Sequence, residues 1–239
     1  MNVSIWIAPG GIVTLITKNL HDLKRRISAA CAEAGRNENE VSVLAVSKRH
    51  GVAAIRQAAA AGLHAMGENY LQEALEKIPL FGQEIEWHFI GRIQSNKTQA
   101  IAENFQWVQT IASTRVAERL SRQRPAGMEP LNACIQVDMD ENGQHGGIPP
   151  EQVAALCELI SGLPGLRLRG LMTIPLPTEN EALQRLPFRR LRDLREQLVT
   201  RGFTMDTLSM GMTGDLEAAI KEGSTMVRIG TALFGPRPG

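Results

Sequence analysis

Aromatic residues are scarce in this 239-residue chain, at 4%, with six Phe, three Trp and one Tyr. That is too few for a row of stacking platforms along single-stranded nucleic acid. An excess of either charge is lacking too. Twenty-six Lys and Arg stand against 25 Asp and Glu, a formal net charge of +1. No overall electrostatic pull toward nucleic acid or an anionic membrane follows from such a balance. The three cysteines, Cys31, Cys134 and Cys157, lie far apart and form no CxxC pair. Their spacing argues against a disulfide framework or a zinc site, so no metal is expected, and it fits a reducing, cytoplasmic compartment. No run reaches the roughly 18 apolar residues of a membrane span. The apolar start MNVSIWIAPGGIVTLITK is broken by Pro9-Gly10-Gly11 and has no basic leader or small-residue cleavage pattern, so it does not read as a signal peptide. Residues 1–14 are expected to be a disordered or loosely packed extension, or the product of a misplaced start codon, ahead of one domain over 15–239.

What the chain does have is alternation. LITKNLHDLKRRISAACAEAG repeats Leu15, Ile16, Leu20, Leu23, Ile27 and Ala30 at helical spacing, with Gly35 as its stop. VSVLAVS then reads as a strand buried on both faces. Seven further strand patterns follow: HAMGEN, EWHFIG, WVQTI, LNACIQVDM, RLRGLMTI, TLSMGM and MVRIGTALFG. Helical patterns separate them. Ser95 is a candidate N-cap for SNKTQAIAENF, Ser113 or Thr114 for the helix after WVQTI, and a proline opens PPEQVAALCELISG. A long charged helix lies around FRRLRDLREQLVTRG.

Strand–helix alternation implies a parallel sheet, and eight units in about 200 residues point to one closed (β/α)8 TIM-type barrel. No GxGxxG follows the first strand, which weakens a dinucleotide-binding reading. About nine residues remain after the last strand, too few for an ordinary outer helix. The extra helix near residues 15–35 is expected to cover that part of the wall instead.

In such barrels the active site gathers at the C-terminal ends of the strands. Lys48 stands at the end of the first, Gly67-Glu68-Asn69-Tyr70 at the second and His88 within the third. The last two strands end in Ser209-Met210-Gly211-Met212 and Arg228-Ile229-Gly230-Thr231. The loops after strands seven and eight are a frequent phosphate site. Ser209 supplies a hydroxyl, and Gly211, Gly230 and Thr231 supply backbone N–H groups that approach an anion closely. The helix opened by TGDLEAAI adds a favourable dipole, with Asp215 read as a cap facing away. A lysine amine is a nucleophile only when neutral, and burial disfavours the charged form. A lysine opposite an anion cradle therefore suits a phosphorylated aldehyde held as a Schiff base. Pyridoxal 5′-phosphate (PLP) meets both demands, with Arg228 facing its pyridine nitrogen. An arginine there favours an unprotonated ring, a weaker electron sink than a pyridinium. Blander readings remain open at this stage: Lys48 as a surface or salt-bridged lysine, His88 as a satisfied barrel histidine, Gly67-Glu68-Asn69 as a turn.

LAVSK, MGENYLQE, EWHFIGRIQSNK, LSMGMTGDLEAAI and MVRIGTALFG, in that order, resemble the pyridoxal phosphate homeostasis proteins, the YggS/PROSC family. The resemblance runs from about residue 18 to 237. It implies a single barrel similar to the alanine racemase N-terminal domain, with PLP on Lys48, its phosphate held by Ser209, Gly230 and Thr231, Arg228 at the pyridine nitrogen and Asn69 nearby. It also implies no catalytic residue and a role in intracellular PLP balance, with apo PLP-dependent enzymes as partners. The sequence departs from the family in Arg49-His50-Gly51, where threonine-lysine-proline is usual, and in His145, where lysine is common.

A PLP-binding regulator or carrier is the leading expectation. Racemisation needs proton-transfer groups on both faces of the substrate carbon. The second such group of alanine racemase comes from another chain's C-terminal region, tied to a β domain that this sequence does not contain up to Gly239. A monomer is expected for that reason. The alternative is a weak racemase or another PLP enzyme using Lys48 with Tyr70 or His88.

Overall fold

The computed structural model describes residues 6–8, 11–140 and 143–236. Part of the expected N-terminal extension, residues 1–5, 9 and 10, lies outside the described residues. Within it, β1 (Trp6–Ala8) pairs antiparallel with β2 (Gly11–Val13).

Eight strands close into a parallel barrel: β3 (Ser42–Val46), β4 (Ala65–Glu68), β5 (Glu86–Phe89), β6 (Trp107–Ile111), β7 (Leu131–Gln136), β8 (Leu166–Met172), β9 (Thr207–Ser209) and β10 (Met226–Ile229). Their spatial order follows the chain, and β10 returns to β3 with Arg228 opposite Leu44. All eight strands expected from the sequence are present. The helices between them are α2 (Val52–Ala60), α3 (Leu71–Lys77), α4 (Thr98–Asn104), α5 (Thr114–Gln123), α6 (Pro150–Ser161), α7 (Glu181–Thr200) and α8 (Leu216–Lys221). They press buried Ile55, Ile101, Leu120, Leu156 and Leu191 onto the barrel wall.

After β10 only α9 (Thr231–Phe234) remains, a single turn. The leading helix α1 (Leu15–Glu33) packs against α2, α8 and α9 and closes that sector, as expected. Its buried stripe is Ile16, Leu20, Leu23, Ile27, Ala30 and Cys31. Burying each large aliphatic side chain contributes about 1.5–3 kcal/mol, enough to hold the helix in place. Gly35 follows with φ +65°, the left-handed conformation that ends helices at low cost to glycine.

Two local readings change. Ser95 does not cap α4. It opens a short 3-10 turn, Ser95–Lys97, so Lys97 takes the N-cap position and the Ser95 carbonyl accepts the Thr98 hydroxyl instead. Helix α7 begins seven residues before the Phe188 of the sequence pattern, capped by Asn180, and carries Pro187 inside it. Ser113 caps α5 by accepting from Val116 N–H.

The barrel interior is unusually polar. Barrel cores are commonly filled by Val, Ile and Leu in layers. Here His88, Gln109 and Ser209 are fully buried and Arg228 is 4% exposed.

Candidate functional site

Lys48 is half-buried, one residue past the fully buried Ser47 that follows β3. The chain turns sharply there: His50 N–H donates to the Ser47 carbonyl at 3.0 Å. Arg49 adopts φ +62°, the only non-glycine residue with positive φ among the described residues. Such a conformation costs a residue with a Cβ about 1–2 kcal/mol, so something must enforce it.

The enforcing group is an ion network behind the wall. Buried Lys77, at the end of α3, donates to the Ser47 carbonyl at 3.0 Å and to Glu68 Oε1 and Glu73 Oε1 at 2.7 Å each. Glu73 Oε1 also accepts the Arg49 N–H at 2.6 Å, and Ser47 Oγ donates to Glu68 Oε1 at 2.7 Å. Burial pushes the Glu68 carboxyl above its usual range, although Lys77 and Ser47 pull the other way. The backbone on both sides of Lys48 is thereby tied to fixed groups. Gly67-Glu68-Asn69 is thus more than a turn.

Asn69 leaves β4 toward the mouth, and its Oδ1 is buried without a hydrogen-bond partner among the described residues. A buried polar atom left unpaired costs about 1–3 kcal/mol, which marks a place where a ligand group fits. Tyr70, next along, is 48% exposed and lies under Arg49 at 5.8 Å. It stands at the N-cap position of α3.

On the neighbouring strand β10, Arg228 anchors on Ser209 of β9 and on Thr173 just after β8. Its NH1 donates to the Ser209 carbonyl at 2.6 Å and Ser209 Oγ at 2.8 Å, and NH2 donates to the Thr173 carbonyl at 2.8 Å. All three acceptors are neutral. Burial lowers the guanidinium to about 10, with Asp215 opposing the shift, so it stays charged at neutral pH. Arg228 N–H also donates to the Gly211 carbonyl at 2.9 Å. Gly211 has φ +95°, and a Cβ there would lie 2.6 Å from the Ala219 Cβ. Gly230 lies against the end of β3, its Cβ position 3.6 Å from the Val46 carbonyl oxygen, and Thr231 begins α9. Asp215 occupies the N-cap position of α8 but turns its carboxylate back onto the Met212 N–H at 2.5 Å, capping its own loop rather than the helix.

Ser209, Gly211, Arg228, Gly230 and Thr231 are therefore one continuous patch on β9, β10 and the loops after them. Lys48 stands beside it at the end of β3, and Asn69 one strand further on. A cavity of about 490 Å³ adjoins Asn69, walled by Arg92, Thr110, Gln136, His145 and Ile174. His145 is exposed, and its carbonyl accepts from Gln136 Nε2 at 2.8 Å.

Sequence reasoning passed over Lys77, Glu73 and Gln109, and gave Thr173, at the end of the RLRGLMTI strand, no role. Two signals were available. Glu73 and Lys77 have the i, i+4 spacing of a helical ion pair. Gln109 is the one amide inside WVQTI, a strand otherwise fit for a dry wall.

The model of the alanine racemase N-terminal domain matches residues 19–238. The pyridoxal phosphate homeostasis protein of Pseudomonas aeruginosa is 53% identical over 226 residues, 94% of this chain and 97% of its own length. That of Haemophilus influenzae is 50% identical over 227 residues, 93% of this chain and 96% of its own. Among solved structures, PipY of Synechococcus elongatus, with PLP bound, is 32% identical with a TM-score of 0.81, covering 92% of this chain and 100% of its own. On sequence and fold alike, the chain belongs to the alanine racemase N-terminal domain family and, within it, to the pyridoxal phosphate homeostasis proteins.

Proposed function

We propose that the protein binds pyridoxal 5′-phosphate at the mouth of its barrel, joined to Lys48 as a Schiff base. In this reading it serves as a carrier or regulator of intracellular PLP and not as a robust catalyst. The observation that carries the reading is Arg228, a buried cation whose side chain donates, among the described residues, to neutral acceptors at the strand ends beside Lys48. Among the described residues three of its five N–H donors are engaged, which leaves capacity for a ring nitrogen. The unpaired Asn69 Oδ1 fits the same ligand. The relatives named for PLP homeostasis, and PipY with PLP bound, support it independently.

PLP supplies an aldehyde for an amine and a ring able to accept electrons. The chain's own groups divide the remaining work. Lys48 Nζ provides the amine, on a turn fixed by Lys77. The backbone at Gly211, Gly230 and Thr231 would hold the phosphate. Ser209 Oγ already accepts from Arg228 and donates to Gln109, so its contribution runs through Arg228. Arg228, charged at neutral pH, would donate to the ring nitrogen and leave it an acceptor. That weakens carbanion chemistry and favours holding. Tyr70 lies under Arg49, and both ring nitrogens of His88 are engaged inside the barrel, which removes support from the racemase alternative.

The test is direct. Purified protein mixed with PLP should turn yellow, and borohydride should fix the label on Lys48. Lys48→Ala should lose the visible band while keeping weaker binding through the phosphate. An unchanged band in that variant would refute the Lys48 assignment. Racemisation at enzyme-like rates, abolished by Tyr70→Phe, would overturn the non-catalytic reading. Transfer of PLP to apo-enzymes tests the carrier role, and light scattering tests the proposed monomer.

A further inference from the structure

A continuous chain of hydrogen bonds runs through the barrel interior from Arg228 to the opposite end. Arg228 NH1 donates to Ser209 Oγ at 2.8 Å. Ser209 Oγ lies 2.6 Å from Gln109 Oε1, Gln109 Nε2 lies 2.9 Å from His88 Nδ1, and His88 Nε2 lies 3.0 Å from Glu86 Oε1. Glu86 begins β5, and its side chain is 49% exposed, so the chain ends near solvent at the N-terminal end of the barrel.

The chemistry of these groups allows one direction only. An arginine donates and never accepts. Ser209 Oγ therefore accepts from Arg228 and must spend its single proton on Gln109. That orients the Gln109 amide, with its carbonyl toward Ser209 and its NH2 toward His88 and the Met226 sulfur, the latter at 3.1 Å. Facing an N–H donor, His88 Nδ1 accepts and the ring proton sits on Nε2, directed at the Glu86 carboxylate. Every donor points the same way, and a change at one member has no silent adjustment at the next. A proton added to His88 Nδ1 would face the Gln109 NH2. The amide would have to turn over, leaving Ser209 without its acceptor and Arg228 without a fixed hydroxyl.

We propose that Glu86, His88, Gln109 and Ser209 form a relay that positions the Arg228 guanidinium against the ring nitrogen of bound PLP. This rests on the proposed function and adds four positioning residues, none of which need touch the cofactor. The relay is well sheltered. The His88 ring stacks on Trp107 at 5.0 Å with 7° between planes. The charged and titratable groups around it are Glu86 on its own strand, Arg169 on β8, Asp206, which pairs with Arg169 at 2.6 Å, and the thiol of Cys134 on β7. Burial holds His88 below its ordinary value and pushes Cys134 up to about 12, so both are neutral near pH 7.

Gln109→Leu removes the two central bonds at nearly constant volume, and Glu86→Gln removes the charge at the exposed end while keeping an acceptor. Each is mixed with PLP as full-length protein. The readouts are the position and pH profile of the visible band, PLP affinity by titration, and the fraction trapped on Lys48 by borohydride. The relay predicts that Gln109→Leu shifts the band and its pH profile and weakens PLP about tenfold, the scale of one lost hydrogen bond to a charged group, while trapping remains on Lys48. Glu86→Gln should shift the pH profile in the same sense, by less. In the PLP-free protein, 15N shifts of His88 should report the Nε2–H tautomer. Band, profile and affinity unchanged in both variants would overturn the relay alone. If Gln109→Leu does not fold, an unchanged profile in Glu86→Gln together with an Nδ1–H tautomer overturns it. Wild-type protein that takes up no PLP would defeat the proposed function and the relay with it.

Discussion

The two sides of the mouth are held by different physics. On the Lys48 side, Lys77, Glu68 and Glu73 form a buried ionic knot outside the barrel wall, and it forces Arg49 into the left-handed region. On the Arg228 side, the cation sits inside the barrel among neutral acceptors. Ions in a dry place gain only if every partner is present, since each lone charge carries a desolvation cost of several kcal/mol. Neutral acceptors bind an arginine more weakly but do not change with the protonation of a carboxylate. The lysine turn is therefore expected to fail abruptly when one partner is removed, and the arginine pocket gradually.

Lys77→Met should produce the largest effect. It leaves Glu68 buried without its cation, a loss of about 3–5 kcal/mol, read from urea unfolding. Gly211→Ala on the other side should cost about 1–3 kcal/mol, because the added Cβ meets Ala219 and the backbone is left-handed. Gly230→Ala is the contrast: its φ is −107° and the nearest atom to a new Cβ is 3.6 Å away, so thermal unfolding should move little.

A further prediction concerns pH. Burial holds His88 neutral in the folded chain, below the ordinary value of 6.5. As pH falls past that value the unfolded chain takes up a proton first, so stability drops until pH passes the depressed folded value. Unfolding free energies measured in steps just below pH 6.5 should show this slope in wild type and a shallower one in His88→Gln, where only the carboxylates held low in the fold, such as Asp206 and Glu222, still contribute. A small effect of the opposite sign is expected at Arg49→Gly. It relieves the left-handed strain and forfeits an exposed contact with Tyr70, a net gain of about 0.5–1 kcal/mol in the same unfolding assay.

Much of the fold was legible because its signals are local. The eight strands alternate with helical patterns, Ser113 supplies a cap, and Gly35 supplies a stop where φ is positive. Ser95 misled because a serine before a helical run also opens 3-10 turns, and the choice depends on where Thr98 finds its acceptor. Pro187 obscured the first turns of α7, since a proline so near a helix start reads as a boundary. At the site, Lys48, Asn69 and the β9–β10 patch were marked by residue type and by their place at strand ends. Ser209 was expected at the phosphate, yet its hydroxyl lies between Arg228 and Gln109. Gln109 is 100 residues from Ser209, and nothing nearby in the chain announces that bond.

By itself, the sequence determined the barrel, because strand and helix periods, turn residues and the order of units are properties of neighbouring residues. It also placed a lysine and a glycine-rich patch at the strand ends. Only the tertiary structure decided what holds them: Lys77 behind Lys48, and Gln109, Ser209 and Thr173 around Arg228. Those contacts join residues far apart in the chain. Closure of the barrel is what puts β10 beside β3 and turns interior polar side chains, dispersed along the sequence, toward one another.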